Sequence, residues 1–270
     1  MEVFINHSPV ETDAATTLAE LLMQEGIAAD GIDTLLHQQN RSCDRQQGRA
    51  PQRMADDPLA GRNENHCHTR RVRRMMRIIV ITDTSFAASE AESIRILLLE
   101  GADRVHLRKP QSAEADMRRL IEALPPELYP RLTLQDHLQL AKEYGIGGVH
   151  LNARNPEIPA GFGGLISRSC HSFGEIASHP TEDYLFLSPI FDSISKTGYR
   201  AGYAPDELRK AFAQGIINPR VAALGGIRPE HLPALKEYGF GGVAFLGYIW
   251  QGATPGELVR RMREIQKFNR

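Results

Sequence analysis

The chain has 270 residues, of which 41% are hydrophobic and 24% charged, and its formal net charge at pH 7 is −1. This balance gives no electrostatic reason to expect nucleic acid or an anionic membrane as a partner. No apolar run approaches the ~20 residues that a membrane-spanning helix needs, and the first residues lack the basic start and apolar stretch of a signal peptide. Because the chain has only 3 cysteines, the sequence favours a cytoplasmic enzyme over a disulfide-bonded protein.

The beginning of the chain has the pattern of a small folded fragment. Residues 1–30 predict a β-hairpin that turns at residues 7–9, followed by a helix in which Thr17 and Glu20 form a capping box. Residues 31–74 are rich in Arg, Gln, Asn and Asp and have almost no aliphatic periodicity. This composition predicts a disordered segment, because it cannot bury enough apolar surface to fold alone.

From residue 75 onward, short apolar segments alternate with amphipathic helical patterns. The strand segments are 77–82, 103–107, 131–134, 147–151, 164–167, 184–187, 220–223 and 242–246. Helical patterns lie at 90–100, 114–124, 205–213, 229–238 and 255–268. Strict alternation predicts a parallel sheet, and eight units predict an α/β fold of the (β/α)8 or TIM-barrel type. A doubly wound open sheet is the alternative.

Polar residues and glycines follow these strands. They are Arg108, Lys109, Asp136, Ser169, His171, Ser193, Ser195, Lys196, Gly225, Gly226 and Gly247. Because the active site of a barrel lies at the C-terminal ends of its strands, this set predicts an anion site in which glycine amides contact a phosphate. Asp136 could hold a magnesium ion there, or it could cap the helix that follows. Considered alone, Lys196 could equally be a solvated loop charge, and His171 could be a structural histidine.

Several segments carry a resemblance to a known family. They are residues 82–83, 105–109, 148–151, 169–172, 188–196 and 223–227. On these segments, residues 76–270 resemble the thiamine phosphate synthase superfamily, which includes the TenI-type thiazole tautomerases. In the synthase, hydroxymethylpyrimidine diphosphate is coupled with thiazole phosphate to give thiamine phosphate and pyrophosphate.

The resemblance implies a role for each of these residues. It implies diphosphate binding by Arg108 and Lys109, magnesium binding by Asp136, pyrophosphate contacts from Ser169 and Lys196, and thiazole phosphate binding by Ser193, Ser195 and the amides of Gly225, Gly226 and Gly247. The leaving group gains negative charge, so cations and a metal around it stabilise the transition state more than the ground state.

Some residues depart from the synthase pattern. His106 stands where the synthase usually has Gln, Gln135 where it has Asn, and Asn155 where it has a second magnesium carboxylate. His106 and residues 168–172 look more like the tautomerase, which needs only proton transfers and no metal. His171 and His106 would be its catalytic residues, because histidine titrates near neutral pH. The sequence favours the synthase, with Mg²⁺, and leaves open the tautomerase, a non-catalytic binder of thiamine precursors and a homo-oligomer.

The N-terminal fragment has a resemblance of its own. Residues 1–30 resemble the start of the sulfur carrier of thiamine biosynthesis, a small ubiquitin-like (β-grasp) protein, on segments 1–6 and 16–22. That family ends in Gly-Gly, whose carboxylate becomes the thiocarboxylate, and this chain has no terminal Gly-Gly. The chain is therefore not expected to donate sulfur.

The genetic code suggests an origin for residues 31–74. Codons for residues 63–68, read one base later, permit the strand-like sequence Met-Lys-Ile-Thr-Val-Ile, and codons for residues 73–76 permit Gly-Gly followed by a forced stop. We interpret the segment as frameshifted, joining a truncated carrier to a barrel at residues 75–270; a genuine linker is the alternative. His66-Cys67-His68 with Cys43 is then not expected to bind a metal.

Overall fold

The computed structural model describes residues 2–5, 8–11, 75–192 and 202–270. The chain divides into two compact units after His68. In the first unit, β1 (Glu2–Ile5) and β2 (Ser8–Glu11) pair antiparallel, with Glu2 opposite Glu11 and Ile5 opposite Ser8. A hairpin therefore lies where the alternating pattern predicts one. The helix expected at Thr17 and the whole of 31–74 lie outside the described residues.

The second unit is a closed parallel barrel. Its strands are β3 (Arg77–Ile81), β4 (Arg104–Leu107), β5 (Leu132–Leu134), β6 (Gly148–Leu151), β7 (Leu165–Cys170), β8 (Tyr184–Leu187), β9 (Val221–Leu224) and β10 (Gly242–Phe245). They pair in chain order, and β10 closes the sheet on β3 with Gly242 opposite Arg77. The (β/α)8 prediction is confirmed and the open sheet is wrong, because an open sheet would leave β3 and β10 as separate edges.

Helices cover the outside of the barrel. They are α1 (Glu90–Leu99), α2 (Glu114–Glu122), α3 (Leu140–Tyr144), α4 (Phe173–Ser178), α5 (Pro205–Ala213), α6 (Leu232–Glu237), α7 (Gly247–Trp250) and α8 (Pro255–Asn269). The helix predicted over 229–238 splits into a 3-10 turn, Pro229–His231, and α6. Pro233 explains the split, since it has no N–H to donate to the carbonyl four residues earlier. Within the described ranges no helix has the length and apolarity to cross a bilayer.

The interior of the barrel is divided between apolar and polar side chains. An apolar cluster fills one part, formed by Ile79, Ile81, Tyr184, Phe186, Ala222 and Ala244. On β4 to β7 the inward positions are polar, with Thr133, His106, His150 and Ser167 all at most 1% exposed. Alternate residues of each strand face opposite sides, so Val105, Leu107 and Val149 pack outward against the helices. Polar groups therefore lie directly beneath the C-terminal rim on that side.

Candidate active site

A cavity of about 600 Å³ opens at the C-terminal ends of the strands. It brings together residues that the sequence predicts from four strand ends: Arg108, Ser169, His171, Gly225, Gly226 and Gly247. Ser169 belongs to β7 itself, because that strand runs to Cys170, with Ser169 opposite Phe186 of β8. These residues therefore meet in one cavity at the strand ends where the sequence predicts the site, and their roles stay predictions.

Three guanidinium groups line the cavity. Arg154 pairs with Asp136 at 3.2 Å and Arg168 with Glu182 at 2.8 Å. Arg108 has no acceptor for its guanidinium within the described part of the chain. Burial, and then the nearby charge of Arg154, lower the pKa of Arg108. The charges of Asp136 and Asp83 act on this pKa in the opposite direction. A partly desolvated guanidinium that has no hydrogen-bond acceptor among the described residues gains from an anionic ligand, so this arrangement favours phosphate binding.

Asp136 lies at the rim and is 6% exposed. Its Oδ2 accepts from the backbone N–H of Lys109 at 2.9 Å, and its Oδ1 accepts from Arg154 and, at 3.4 Å, from Asn155 Nδ2. Asp136 does not cap α3, whose N-cap is Gln139. The helix-capping alternative is therefore wrong, because the carboxylate is held by Lys109, Arg154 and Asn155 instead. Asp136 and Asn155 are not among the residues that line the cavity, although Arg154, which contacts Asp136, is.

The donor set at Asp136 suits magnesium in part. One carboxylate and the amide oxygen of Asn155 are oxygen ligands of the type that Mg²⁺ prefers. Among the described residues, no group of three or more His, Cys, Asp or Glu side chains could hold a metal. Mg²⁺ often takes one or two protein carboxylates and completes its shell with water and substrate phosphates. The residues fit such an open site and do not form an all-protein cage.

Lys109 does not face the cavity, contrary to the expectation that it binds diphosphate. Its side chain is fully buried, and Nζ donates to Glu90 Oε1 at 2.6 Å, to the Asp83 carbonyl at 2.8 Å and to the Ser85 carbonyl at 2.5 Å. All three ammonium protons are therefore used. Strand alternation accounts for this, because Arg108 continues the inward face of β4 and Lys109 the outward face.

The two histidines proposed as catalytic lie in different places. His106 is fully buried beneath the cavity, where its Nε2 contacts Tyr184 Oη at 2.7 Å and its Nδ1 contacts Gln135 Nε2 at 3.0 Å. Burial lowers the pKa of His106 well below its usual range, so the ring is neutral near pH 7 and has no contact with the cavity. His171 lines the cavity, and its Nδ1 contacts the Ser188 carbonyl at 3.1 Å. The geometry favours His171 over His106 for proton transfer.

Sequence reasoning assigned no role to His150 and did not place Arg154 in the site. His150 is 1% exposed and lies between two hydroxyls, with Nδ1 2.8 Å from Ser167 Oγ and Nε2 2.8 Å from Ser169 Oγ. Burial lowers its pKa to about 3, and the charges of Arg168 and Arg154 add to the effect. The sequence does contain a signal for His150. Side chains alternate along each strand, which places His150 on the inward face of β6 and His106 on the inward face of β4.

Two glycines shape the rim on the other side. Gly225 and Gly226 have φ of 95° and 65°, in the left-handed region that favours glycine. Ile190 N–H donates to the Leu224 carbonyl at 3.0 Å, which holds the loop after β8 against them. No backbone carbonyl in the described ranges accepts from the N–H groups of Gly226 and Gly247, the amides that the sequence assigns to a phosphate.

Of the residues not yet placed, three lie outside the described part of the chain and one lies inside it. Ser193, Ser195 and Lys196 lie outside the described residues, and their roles stay predictions. Cys170 is fully buried, and burial raises the pKa of its thiol to about 12. This agrees with a packing role rather than a nucleophilic one, because the thiolate is the reactive form.

Comparison with known proteins identifies the family. The thiamine monophosphate synthase family profile matches residues 78–249. A thiamine-phosphate synthase of Bacteroides fragilis is 28% identical over 205 residues, covering 71% of this chain and all of its own length. The crystal structure of thiamine phosphate pyrophosphorylase from Bacteroides thetaiotaomicron is 34% identical, with a TM-score of 0.65 over 72% of this chain and 97% of that one. The thiamine phosphate pyrophosphorylase from Pyrococcus furiosus, at 23% identity and a TM-score of 0.55, shares the fold. The chain belongs to the thiamine monophosphate synthase family.

Proposed function

We propose that this chain is a thiamine phosphate synthase, which joins hydroxymethylpyrimidine diphosphate to thiazole phosphate and releases pyrophosphate. The observation that carries the proposal is the guanidinium of Arg108, which has no acceptor among the described residues, in a cavity that is also lined by Ser169, Gly226 and Gly247, in a chain of this family. Two phosphate-bearing substrates need two groups of donors. The cations at β4 to β7 and the amides after β9 and β10 supply them from opposite sides of the cavity.

The chemistry follows from the charge that moves. The C–O bond between the pyrimidine methylene and the diphosphate breaks, and its electron pair leaves with pyrophosphate. The thiazole nitrogen then donates its lone pair to the methylene carbon and forms the new C–N bond. Arg108 and Ser169 bind oxygens of the leaving group, whose charge grows as the bond breaks. Donors held in place before the reaction lower the barrier because they do not have to reorganise.

A magnesium ion belongs to this proposal. Asp136, with Asn155 beside it, would hold Mg²⁺, which when bound supplies positive charge to the phosphate oxygens. Arg154 keeps the Asp136 carboxylate in place through its contact at 3.2 Å. A second protein carboxylate is not needed if the diphosphate provides the other ligands.

One observation favours a second candidate, a thiazole tautomerase. His171 lies at the cavity wall, and no described residue partners its Nε2, so a ring nitrogen is available to move a proton on a bound ligand. That reaction needs one phosphate site and no leaving group. It would leave the cation cluster at β4 to β7 without a use, which is why we place the synthase first.

The test is product formation by the full chain. We expect thiamine phosphate from the pyrimidine diphosphate, thiazole phosphate and Mg²⁺, detected by chromatography after oxidation to the fluorescent thiochrome. Arg108→Gln should lower kcat/KM at least tenfold, since a charge-assisted hydrogen bond contributes about 1.5–3 kcal/mol. Arg263→Gln is the matched control, because Arg263 is exposed and pairs with Glu100 on the barrel exterior. Accelerated aromatisation of the thiazole precursor without thiamine phosphate would replace the synthase by the tautomerase, and binding without either reaction would indicate a binding protein.

We also propose that residues 1–74 take no part in this activity. The family match begins at residue 78, after the carrier-like residues 1–30 and the segment 31–74. Mass spectrometry of the protein from its native cells tests the frameshift. Peptides from 31–74 joined to the barrel would contradict a sequencing error, and their absence would support it.

A further inference from the structure

The loops that follow β4 and β5 contain two residues that have a left-handed backbone conformation and are not glycine. Gln111 has a φ of 64° and His137 a φ of 53°. Within the described ranges no other non-glycine residue has a positive φ. Such a conformation is costly and persists where the surrounding contacts hold it, often beside a functional site. His137 directly follows Asp136, the carboxylate that we propose as the magnesium ligand.

The side chain of His137 reaches the loop that follows β4. Its Nε2 lies 3.0 Å from the carbonyl oxygen of Ser112 and 3.1 Å from Ser112 Oγ. A carbonyl oxygen only accepts hydrogen bonds, so the proton of this contact is on Nε2 of His137. Ser112 Oγ donates its own proton to the Lys109 carbonyl at 2.9 Å, so toward His137 it also acts as an acceptor. Both contacts therefore require the same donor, the Nε2–H of His137.

These hydrogen bonds close a ring that includes Asp136. The backbone N–H of Lys109 donates to Asp136 Oδ2 at 2.9 Å, and His137 is the next residue along the chain from Asp136. The Ser112 N–H also donates to the Lys109 carbonyl, at 3.3 Å. We call this ring the loop clasp, and its members are Asp136, His137, Ser112 and Lys109. The loop clasp fixes the end of β5 against the segment that immediately follows Arg108.

We propose that His137 is a positioning residue, which holds the Asp136 carboxylate at a fixed separation from Arg108 through the loop clasp. The inference rests on the proposed function in that the ligand is a diphosphate with Mg²⁺. Arg108 lines the cavity, and Arg154, another lining residue, contacts Asp136 at 3.2 Å. The proposed site needs Arg108 and the Asp136 carboxylate at a fixed separation, because both serve the same diphosphate. A side chain that fixes this separation beforehand lowers the cost of ordering the site on binding.

Substitutions of His137 separate the hydrogen bond from the backbone conformation. Asparagine tolerates a positive φ, but its amide is too short to reach Ser112. Glutamine carries an amide nitrogen at about the distance of the histidine Nε2, and Gln111 shows that a glutamine adopts this conformation in this chain. The probe is inorganic pyrophosphate with Mg²⁺, measured by calorimetry on the full-length protein. The Kd should rise about fivefold in His137→Asn, the loss of one hydrogen bond, and change less than about twofold in His137→Gln.

Gln111→Asn is the matched control. It makes a comparable change at the other left-handed position, where the side chain is exposed and has no hydrogen bond within the described part of the chain. The Kd for pyrophosphate with Mg²⁺ should therefore stay at the wild-type value.

Hydrogen exchange gives a second readout, which needs neither ligand nor turnover. The Lys109 amide donates to Asp136, so its exchange reports how firmly the loop clasp holds that carboxylate. In His137→Asn the Lys109 amide should exchange about fivefold faster than in wild type, and in His137→Gln it should exchange at nearly the wild-type rate. The Leu185 amide, which donates to the Arg220 carbonyl at 2.9 Å, is the reference and should not change.

The outcomes separate this inference from the proposed function. Equal Kd values for wild type and His137→Asn, or a His137→Gln variant that binds as weakly as His137→Asn, would overturn the inference. So would an unchanged exchange rate of the Lys109 amide, or no binding of pyrophosphate to the wild type. The expected Kd values and exchange rates in a protein that forms no thiamine phosphate would support the inference and refute the synthase.

Discussion

Replacing Lys109 by methionine tests where its ammonium group lies. The structure gives this lysine a buried ion pair with Glu90, in which both side chains are at most 4% exposed. At 2.6 Å and an effective dielectric constant of about 20, the pair attraction is about 6 kcal/mol before the cost of desolvation. Burial raises the pKa of Glu90 and lowers the pKa of Lys109, so the desolvation of both charged groups offsets part of this attraction. In Lys109→Met the carboxylate stays buried without its cation.

We expect Lys109→Met to lower the free energy of unfolding by about 3–5 kcal/mol, the usual result of removing one partner of a buried pair. Urea unfolding followed by circular dichroism measures this, as a fall in midpoint of about 1–2 M. Lys109→Met with Glu90→Leu should recover much of the loss, because no charge is then left unpaired. Lys142→Met, at an exposed lysine of α3, should change stability by less than about 0.5 kcal/mol.

The same variant should acquire a pH dependence. Without the ammonium, burial raises the folded-state pKa of Glu90 further above its unfolded value of 4.5. A carboxyl with a raised folded pKa contributes stability at low pH and loses it as the pH rises through that pKa. The deficit relative to wild type should therefore be smaller at pH 5 than at pH 8. A variant as stable as wild type that binds pyrophosphate tenfold more weakly would refute the buried pair and restore Lys109 as a diphosphate ligand.

Three further predictions concern the rim of the barrel. Gly226→Ala should lower kcat/KM at least tenfold, because φ is 65° and the new Cβ would meet the Asp192 carbonyl oxygen. Gly215→Ala is the control: φ is 74° there, with open space around the residue. It should lower the free energy of unfolding by about 1 kcal/mol and leave kcat/KM unchanged. Asp136→Asn should abolish Mg²⁺-dependent formation of thiamine phosphate while keeping the fold, and an active variant would remove Asp136 from the metal site. Cys170 should resist alkylation at pH 8, because burial raises its pKa to about 12; peptide mapping of native and urea-unfolded protein checks this, and equal labelling of both would contradict it.

The strand positions were predictable because each barrel strand is a short run of apolar residues between two amphipathic helical patterns. β8 has the bounds that the apolar run 184–187 predicts, and the other barrel strands lie within their predicted segments except β7 and β9. β9 ends at Leu224, one residue past the predicted segment. β7 is longer than predicted, since Ser169 and Cys170 find partners in Phe186 and Leu187 of β8. Those partners are distant in sequence, so local composition does not reveal the extension. Ser169 is consequently held by a strand and not by a loop.

Side-chain partners required the tertiary structure. Arg108 and Lys109 are adjacent cations, and sequence reasoning gave both to the diphosphate. Only the buried ion pair with Glu90 of α1 shows that Lys109 contacts the surrounding helix layer and does not face the cavity. His150 and Ser169 come from neighbouring strands, and their contact depends on the register of β6 against β7.

The sequence by itself determined the eight-unit barrel, the edge at which the strands' C-terminal ends meet and six of the residues that line the cavity there. Periodic burial is local, and parallel strands bring their C-terminal ends to one edge whatever their order. The tertiary structure decided which charged groups face the ligand, which histidine reaches the cavity and which hydrogen bonds hold Asp136. Those choices depend on partners from other strands, and barrel closure brings the partners within reach.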